Sequence, residues 1–399
     1  VRHTPPKVPR PTRPPVAVSP TLGVEPAAAD ATALWRRAPA MPYVEPADDP
    51  ASAIVTFLWD DPDAEDVLLF VNRITDETHL ADSLMRRVSG TTLWTLSYRV
   101  SRGWRASYGF VVRRAGERAP WVAEDDQVAI RTALDRALPD PRNGDTCLNR
   151  GGVAHSVVAL DAAPAQRWLA RRPGVDRGMC ETVDGPDGRT VWVHRTPGCA
   201  AGGPALVVLD GEVWTSSQDL PTTLDNLVAE GEIPPVTAFF VDSGGVDARW
   251  REMGGDGGAE RWIVDALVPW MRRGYGVGQR PEDVVVIGQS LGALTALRVA
   301  LARPDIVGGA VASSASLWQD DLADRVAALP SGGSPRGSPA IALEVGLQEW
   351  VLLGPHRRLA GALREAGVGL SYAEYDGGHD YACWRGGVAD GLRAVLGGR

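Results

Sequence analysis

Lysine is almost missing from this chain: it occurs once, at Lys7, so 40 of the 41 basic residues (41 − 1) are arginine. Any anion-binding site here is therefore an arginine site. A basic excess is missing too. The formal net charge is −9, which argues against general nucleic-acid binding, because neutralising phosphates takes a surplus of cations. The four cysteines, Cys147, Cys180, Cys199 and Cys383, form no C-x-x-C pair. They are too few and scattered for a disulfide framework and read as free thiols. No apolar run approaches the roughly 18 residues of a membrane span, and the N-terminus lacks the charged-then-apolar pattern of a secretory signal. A cytoplasmic protein with no membrane partner is expected. No internal repeat is visible.

What remains is a 399-residue chain with 44% hydrophobic and 23% charged residues, long enough for two domains and a tail. Residues 1–50 are rich in Pro and Ala and read as a flexible, polyproline-like leader in which only Trp35 looks able to dock. Residues 51–145 carry short alternating strands at 54–59, 67–71, 93–98 and 106–112. They predict a small immunoglobulin-like β-sandwich whose last strand ends between Val112 and Val122. A helix over 127–138 is broken at Pro139-Asp140-Pro141. Residues 146–189 read as a connector holding one strand, 156–160. From 190 to 399, strands at 190–194, 205–209, 237–241, 284–287, 308–312, 340–345 and 370–375 alternate with apolar helical stretches. That alternation predicts an α/β hydrolase fold, a mostly parallel sheet with helices on both faces and the site at the carboxyl ends of the strands.

The chemistry concentrates at Gly288-Gln289-Ser290-Leu291-Gly292, between a β-branched strand and an apolar helix. A sharp strand-to-helix turn projects a serine hydroxyl where a base can reach it, and small flanking residues give the turn room. The helix start then directs amides to the same place, so the Leu291 N–H is a candidate oxyanion donor. A nucleophile elbow needs an acid and a histidine later in the chain. After Ser290 only His356, inside a predicted helix, and His379, in the loop Asp376-Gly377-Gly378-His379-Asp380, are available. His379 is the better base. Glu349, just past the strand 340–345, is the favoured acid; Glu344, Asp376 and Asp380 are its rivals. The second oxyanion donor is expected after the strand 205–209, from Gly211 or Glu212. Trp214 follows, as core or as a wall for an aromatic acyl group.

Leu209-Asp210-Gly211-Glu212-Val213-Trp214, the elbow, and above all Asp376-Gly377-Gly378-His379-Asp380-Tyr381-Ala382-Cys383-Trp384-Arg385-Gly386-Gly387 resemble the enterochelin (enterobactin) esterases. So do Trp104-Arg105-Ala106-Ser107-Tyr108-Gly109-Phe110 and Asp140-Pro141-Arg142-Asn143, and the resemblance runs from about Ile54 to Leu396. It implies a serine esterase that opens the ester bonds of a cyclic catecholate siderophore, with no resident cofactor, since iron enters bound to the substrate. It further implies that Arg105, Arg249 and Arg385 meet the anionic substrate and that Trp318 lies near it. Leu291 replaces the aromatic often found after the nucleophile, and the loop 254–258 is unusually glycine-rich. An acyltransferase or macrocycle-forming enzyme using the same triad is the alternative. Oligomeric state is not legible.

Overall fold

A computed structural model describes residues 6, 12, 15–119, 121, 126–255, 258–329 and 338–397. Expectations for most of the first 14 residues, for a strand end at Val122 and for Asp256 and Gly257 of the glycine-rich loop fall outside them. Two compact units emerge: residues 9–164 with Asp376–Cys383, and Ala165–Tyr375 with Trp384–Arg399.

The N-terminal unit is built from two four-stranded antiparallel sheets. One runs β1 (Tyr43–Pro46), β2 (Ser52–Asp60), β5 (Leu93–Ser101), β4 (Arg86–Arg87); the other runs β3 (Ala64–Val71), β6 (Arg105–Arg114), β8 (Ala154–Ala159), β7 (Thr146–Leu148). Alternate residues of both sheets meet in one core: Val55 and Phe57 of β2 with Val67 and Leu69 of β3 and Tyr108 and Phe110 of β6. Phe57 meets Tyr108 edge-on with centroids 4.9 Å apart, the arrangement that sets a ring's positive edge against a negative face. This is a β-sandwich. The strand at 154–159, expected in a connector, pairs with β6 from Arg105↔Ala159 to Tyr108↔Ser156 and so belongs to the sandwich.

The leader also departs from expectation. Within it, α1 (Ala28–Arg37) is helical, and Ala31, Leu34 and Ala38 pack with Leu58, Val88 and Leu93 of the first sheet. Their spacing of three and four is a helical stripe that an Ala-rich composition conceals. Arg142 pins this segment: Nη2 donates to the Ala38 carbonyl at 2.6 Å, Nη1 donates to the Trp35 carbonyl, and the guanidinium carbon sits 4.7 Å from the Trp35 ring centroid. Arg142→Ala removes two carbonyl partners and a cation–π contact, so the unit loses about 1–3 kcal/mol. Limited proteolysis then cuts between residues 28 and 41 faster than in the parent chain.

In the C-terminal unit an eight-stranded mixed sheet has the order β16-β15-β14-β13-β11-β12-β10-β9. Its strands are β9 (Met179–Asp184), β10 (Thr190–Arg195), β11 (Ala205–Val208), β12 (Thr237–Val241), β13 (Val284–Gln289), β14 (Gly309–Ser313), β15 (Ala340–Gly346) and β16 (Gly369–Tyr375). Only β10 runs against the rest, pairing antiparallel with both β12 and β9. β9, Met-Cys-Glu-Thr-Val-Asp, is mostly exposed on the sheet edge, which is why no apolar pattern announces it. Every residue of β11, β12, β13 and β14 is buried, as a sheet covered on both faces requires. One face, with Val207, Val284 and Val286, packs against α8 (Leu291–Ala302) and α10 (Trp350–Glu365). The other carries α11 (Tyr381–Leu396), whose Val395 closes on Gly309 of β14.

Candidate active site

Ser290 sits between β13 and α8 at φ 58°, ψ −116°. A side-chain-bearing residue adopts such a backbone only where its surroundings fix it, at a cost of order 1–3 kcal/mol. They do so here. The Ser290 N–H donates to the Ser313 carbonyl at 2.9 Å, and the Ser290 carbonyl accepts from Ser316 N at 3.0 Å and from Leu294 N at 3.1 Å. Its Oγ lies 3.3 Å from Ser316 Oγ. Gly288 is obligatory: a Cβ there would come within 2.3 Å of the Gly292 carbonyl carbon. Leu291 is the first residue of α8, where an amide has no acceptor within its own helix.

Glu349 is buried at the start of α10 and accepts three hydrogen bonds on Oε2. They come from Ser314 Oγ at 2.6 Å, Gly346 N at 2.7 Å and Tyr375 OH at 3.2 Å. Trp384 completes this cluster, its indole N–H donating to Ser314 Oγ at 2.9 Å and to Tyr375 OH at 3.0 Å. Ser314, Tyr375 and Trp384 carry no signal in the sequence as partners of the acid, since a serine, a tyrosine and a tryptophan at strand and helix ends usually pack.

The loop after β11 is fixed from beneath. Asp210 is buried in the left-handed region at φ 56°. It accepts from Arg249 Nε at 2.6 Å and Nη2 at 2.8 Å, and from Gln289 Nε2 at 2.7 Å. Gln289 in turn accepts the Trp214 indole N–H at 2.8 Å. This ties Gly211, the first residue of the short helix α3 (Gly211–Thr215), to Gln289, the residue preceding Ser290. Two expectations shift accordingly. Arg249 is only 8% exposed and spends its guanidinium on Asp210; Trp214 is 1% exposed and is core rather than wall. The Glu212 carboxylate is turned onto Ser243, accepting from its N–H at 3.0 Å and from its hydroxyl. The network was missed because Asp210 and Gln289 lie far apart in sequence.

His379 belongs to the segment Asp376–Cys383, which is part of the N-terminal unit. Within that unit the His379 carbonyl accepts from Asn72 Nδ2 at 3.1 Å, and Asp380 Oδ2 accepts from Ser107 N at 2.6 Å. The Asp376 carbonyl accepts from Arg105 N at 2.9 Å. Asp380, a rival acid, thus serves as a backbone acceptor, its other oxygen taking the Ala382 N–H at 2.9 Å. Arg105 itself is half-buried and donates to the Pro164 carbonyl at 2.7 Å. In the C-terminal unit Arg385 Nε donates to Gln166 Oε1 at 3.1 Å, and Trp318 is partly exposed just past the Ser316 turn. His356 is buried inside α10 with Nδ1 2.8 Å from the Leu352 carbonyl. Among the described residues no group of three His, Cys, Asp or Glu is placed to hold a metal, and no helix is long and apolar enough to cross a membrane.

A strained serine at a strand-to-helix turn, with a buried glutamate bonded to Ser314 at the end of the neighbouring strand, suits acyl transfer. Comparison with known proteins agrees. Residues 54–169 match the family described as "Enterochelin esterase, N-terminal", and residues 191–395 match the one described as "Putative esterase". The chain is 30% identical to the iron(III) enterobactin esterase of Dickeya dadantii, the alignment covering 90% of each. It is likewise 30% identical to the iron(III) salmochelin esterase of Escherichia coli, covering 92% of this chain and 94% of that one. The ferric enterobactin esterase structure from Salmonella typhimurium superposes with a TM-score of 0.78 at 26% identity, over 91% of this chain and 98% of the other. An enterobactin esterase from Shigella flexneri, solved in the presence of enterobactin, gives 0.75 at 26% identity, over 91% and 97%. With both halves matched and relatives aligned across nearly the whole chain, this protein belongs to the enterochelin esterase family and is a carboxylic ester hydrolase.

Proposed function

We propose that this protein hydrolyses the ester bonds of a cyclic catecholate siderophore of the enterobactin type, taken as its ferric complex, and so releases iron in the cytoplasm. The observation that carries the reading is the Ser290 elbow joined to an enterobactin-esterase likeness that spans both units. Ser290 attacks a seryl-ester carbonyl as His379 takes its proton, the ester C–O bond breaks as the imidazolium hands that proton to the departing seryl hydroxyl, and Glu349 holds the imidazole tautomer and balances the imidazolium. The Leu291 N–H and the Gly211 or Glu212 N–H meet the oxyanion. Water activated by His379 then releases the acyl group. Arg105 and Arg385, with Trp318, are the side chains we assign to the anionic, aromatic substrate, and the iron is its cargo rather than a resident cofactor. We read the N-terminal sandwich as immunoglobulin-like, and expect neither nucleic acid nor membrane as partner. The names of the relatives favour hydrolysis over transfer to another alcohol.

The test is incubation with ferric and iron-free enterobactin followed by chromatography and mass spectrometry. Ring-opened products carrying one added water per cleaved ester are expected. Esters of an added alcohol in place of acids would redirect the reading to acyl transfer, and intact macrocycle beside turnover of an aryl ester would overturn the substrate.

A further inference from the structure

Behind Glu349 lies a second carboxyl that the hydrolytic scheme does not use. Glu344, on β15, accepts from Ser313 Oγ at 2.6 Å, while the next residue, Ser314, donates its own Oγ to Glu349. Two adjacent serines at the end of β14 thus serve two glutamates. The same strand end also holds the nucleophile: the Ser313 carbonyl accepts the Ser290 N–H at 2.9 Å, and the Ser314 N–H donates to the Glu344 carbonyl at 2.8 Å. Ser314 is in the left-handed region at φ 52°, a backbone that persists only under tertiary constraint. Room for the Glu344 carboxyl is made by Gly387 of α11, where a Cβ would stand 2.1 Å from Oε2 and 2.3 Å from Oε1.

We propose that Glu344 is a positioning residue for the hydrolysis, an uncharged second acid that pins Ser313 and so holds nucleophile and Glu349 in register. The proposal rests on the reading of Ser290 and Glu349 as nucleophile and acid. Its physical basis is charge. The charged groups that act on Glu344 are Asp390 from α11 and Glu349 from the start of α10, both of its own sign, while Arg393 is engaged with Asp390 and Glu232. Burial first, then those two carboxylates, push Glu344 up to about 8, against the opposing Ser313 hydrogen bond. A carboxyl kept neutral at pH 7 leaves a single negative charge for the histidine. Once ionised, Glu344 places a second charge behind Glu349 and repels the end of β14.

The folded protein therefore holds a proton that the unfolded chain, with Glu344 near 4.5, has released. Stability contributed this way is present at low pH and is lost as pH climbs from about 4.5 towards 8. The experiment compares the parent protein with Glu344→Gln, which keeps the shape and stays neutral. In the parent, kcat/KM falls above a pH of about 8, approaching tenfold per unit. In Glu344→Gln that alkaline limb is gone, and Tm rises relative to the parent as pH increases. Infrared difference spectra of the parent lose one protonated-carboxyl band near the same pH. A limb that survives in Glu344→Gln, or a parent spectrum with no carboxyl titrating above pH 7, overturns the proposal. Loss of activity in Ser290→Ala, seen beside either result, leaves the hydrolytic reading standing.

Discussion

Ser290→Ala stops siderophore hydrolysis, with kcat falling on the order of 10⁴- to 10⁶-fold, as when a nucleophile that works as one unit with its base is removed. KM and fold are expected to stay close to those of the parent, because alanine keeps the Cβ and gives up a long 3.3 Å contact to Ser316 Oγ. The elbow geometry adds a sharper expectation for Ser290→Gly. Glycine takes φ 58° without steric penalty, so this variant is equally inactive yet gains up to about 1–2 kcal/mol of stability. Thermal melts of the two variants beside the parent check it. Equal Tm values in all three would mean that the turn stores no strain, and turnover by either would place the nucleophile elsewhere.

Arg249→Met produces the second large effect. It removes the two guanidinium hydrogen bonds that the buried Asp210 carboxylate accepts, and breaking one side of a buried ion pair costs about 3–5 kcal/mol. The loop carrying Gly211 is anchored on Asp210, so kcat falls as well, on the order of 10²- to 10³-fold if an oxyanion donor is displaced. The double variant Asp210→Asn/Arg249→Met recovers most of the stability, because no unpaired charge remains. Denaturant melts and steady-state kinetics separate two roles for this arginine. A structural anchor lowers stability and kcat, whereas an arginine that grips the anionic substrate raises KM and leaves both largely alone.

The strand-turn-helix at Ser290 and the strands of the large sheet are legible because each carries its own local pattern: β-branched runs closed by glycine, then a helical apolar run. Glu349 is legible as a position past a strand end. What escapes the sequence is pairwise and distant. Arg249 reads as a substrate cation or as the partner of a carboxylate such as Glu252, and only the fold brings Asp210, 39 residues earlier, beneath it. Trp214 reads equally as core or as wall until Gln289 takes its N–H. The leader reads as disordered because Pro and Ala dominate, although Leu34 and Ala31 have a sheet to dock on. β7 and β8 are short, and only their pairing with β6 reveals that the sandwich continues past the break at Pro139.

The anchoring of the histidine segment has a consequence for how the protein is made. The backbone at His379 is held by Asn72, 307 positions earlier, and Asp380 takes an amide 273 positions earlier. On the ribosome these sandwich residues therefore emerge 307 and 273 positions ahead of the partners they hold. Contacts so far apart in sequence close late and slowly. A chain cut short between Ser290 and Asp376 carries the serine without the histidine we assign as its base, and is expected to lack the ester-cleaving activity.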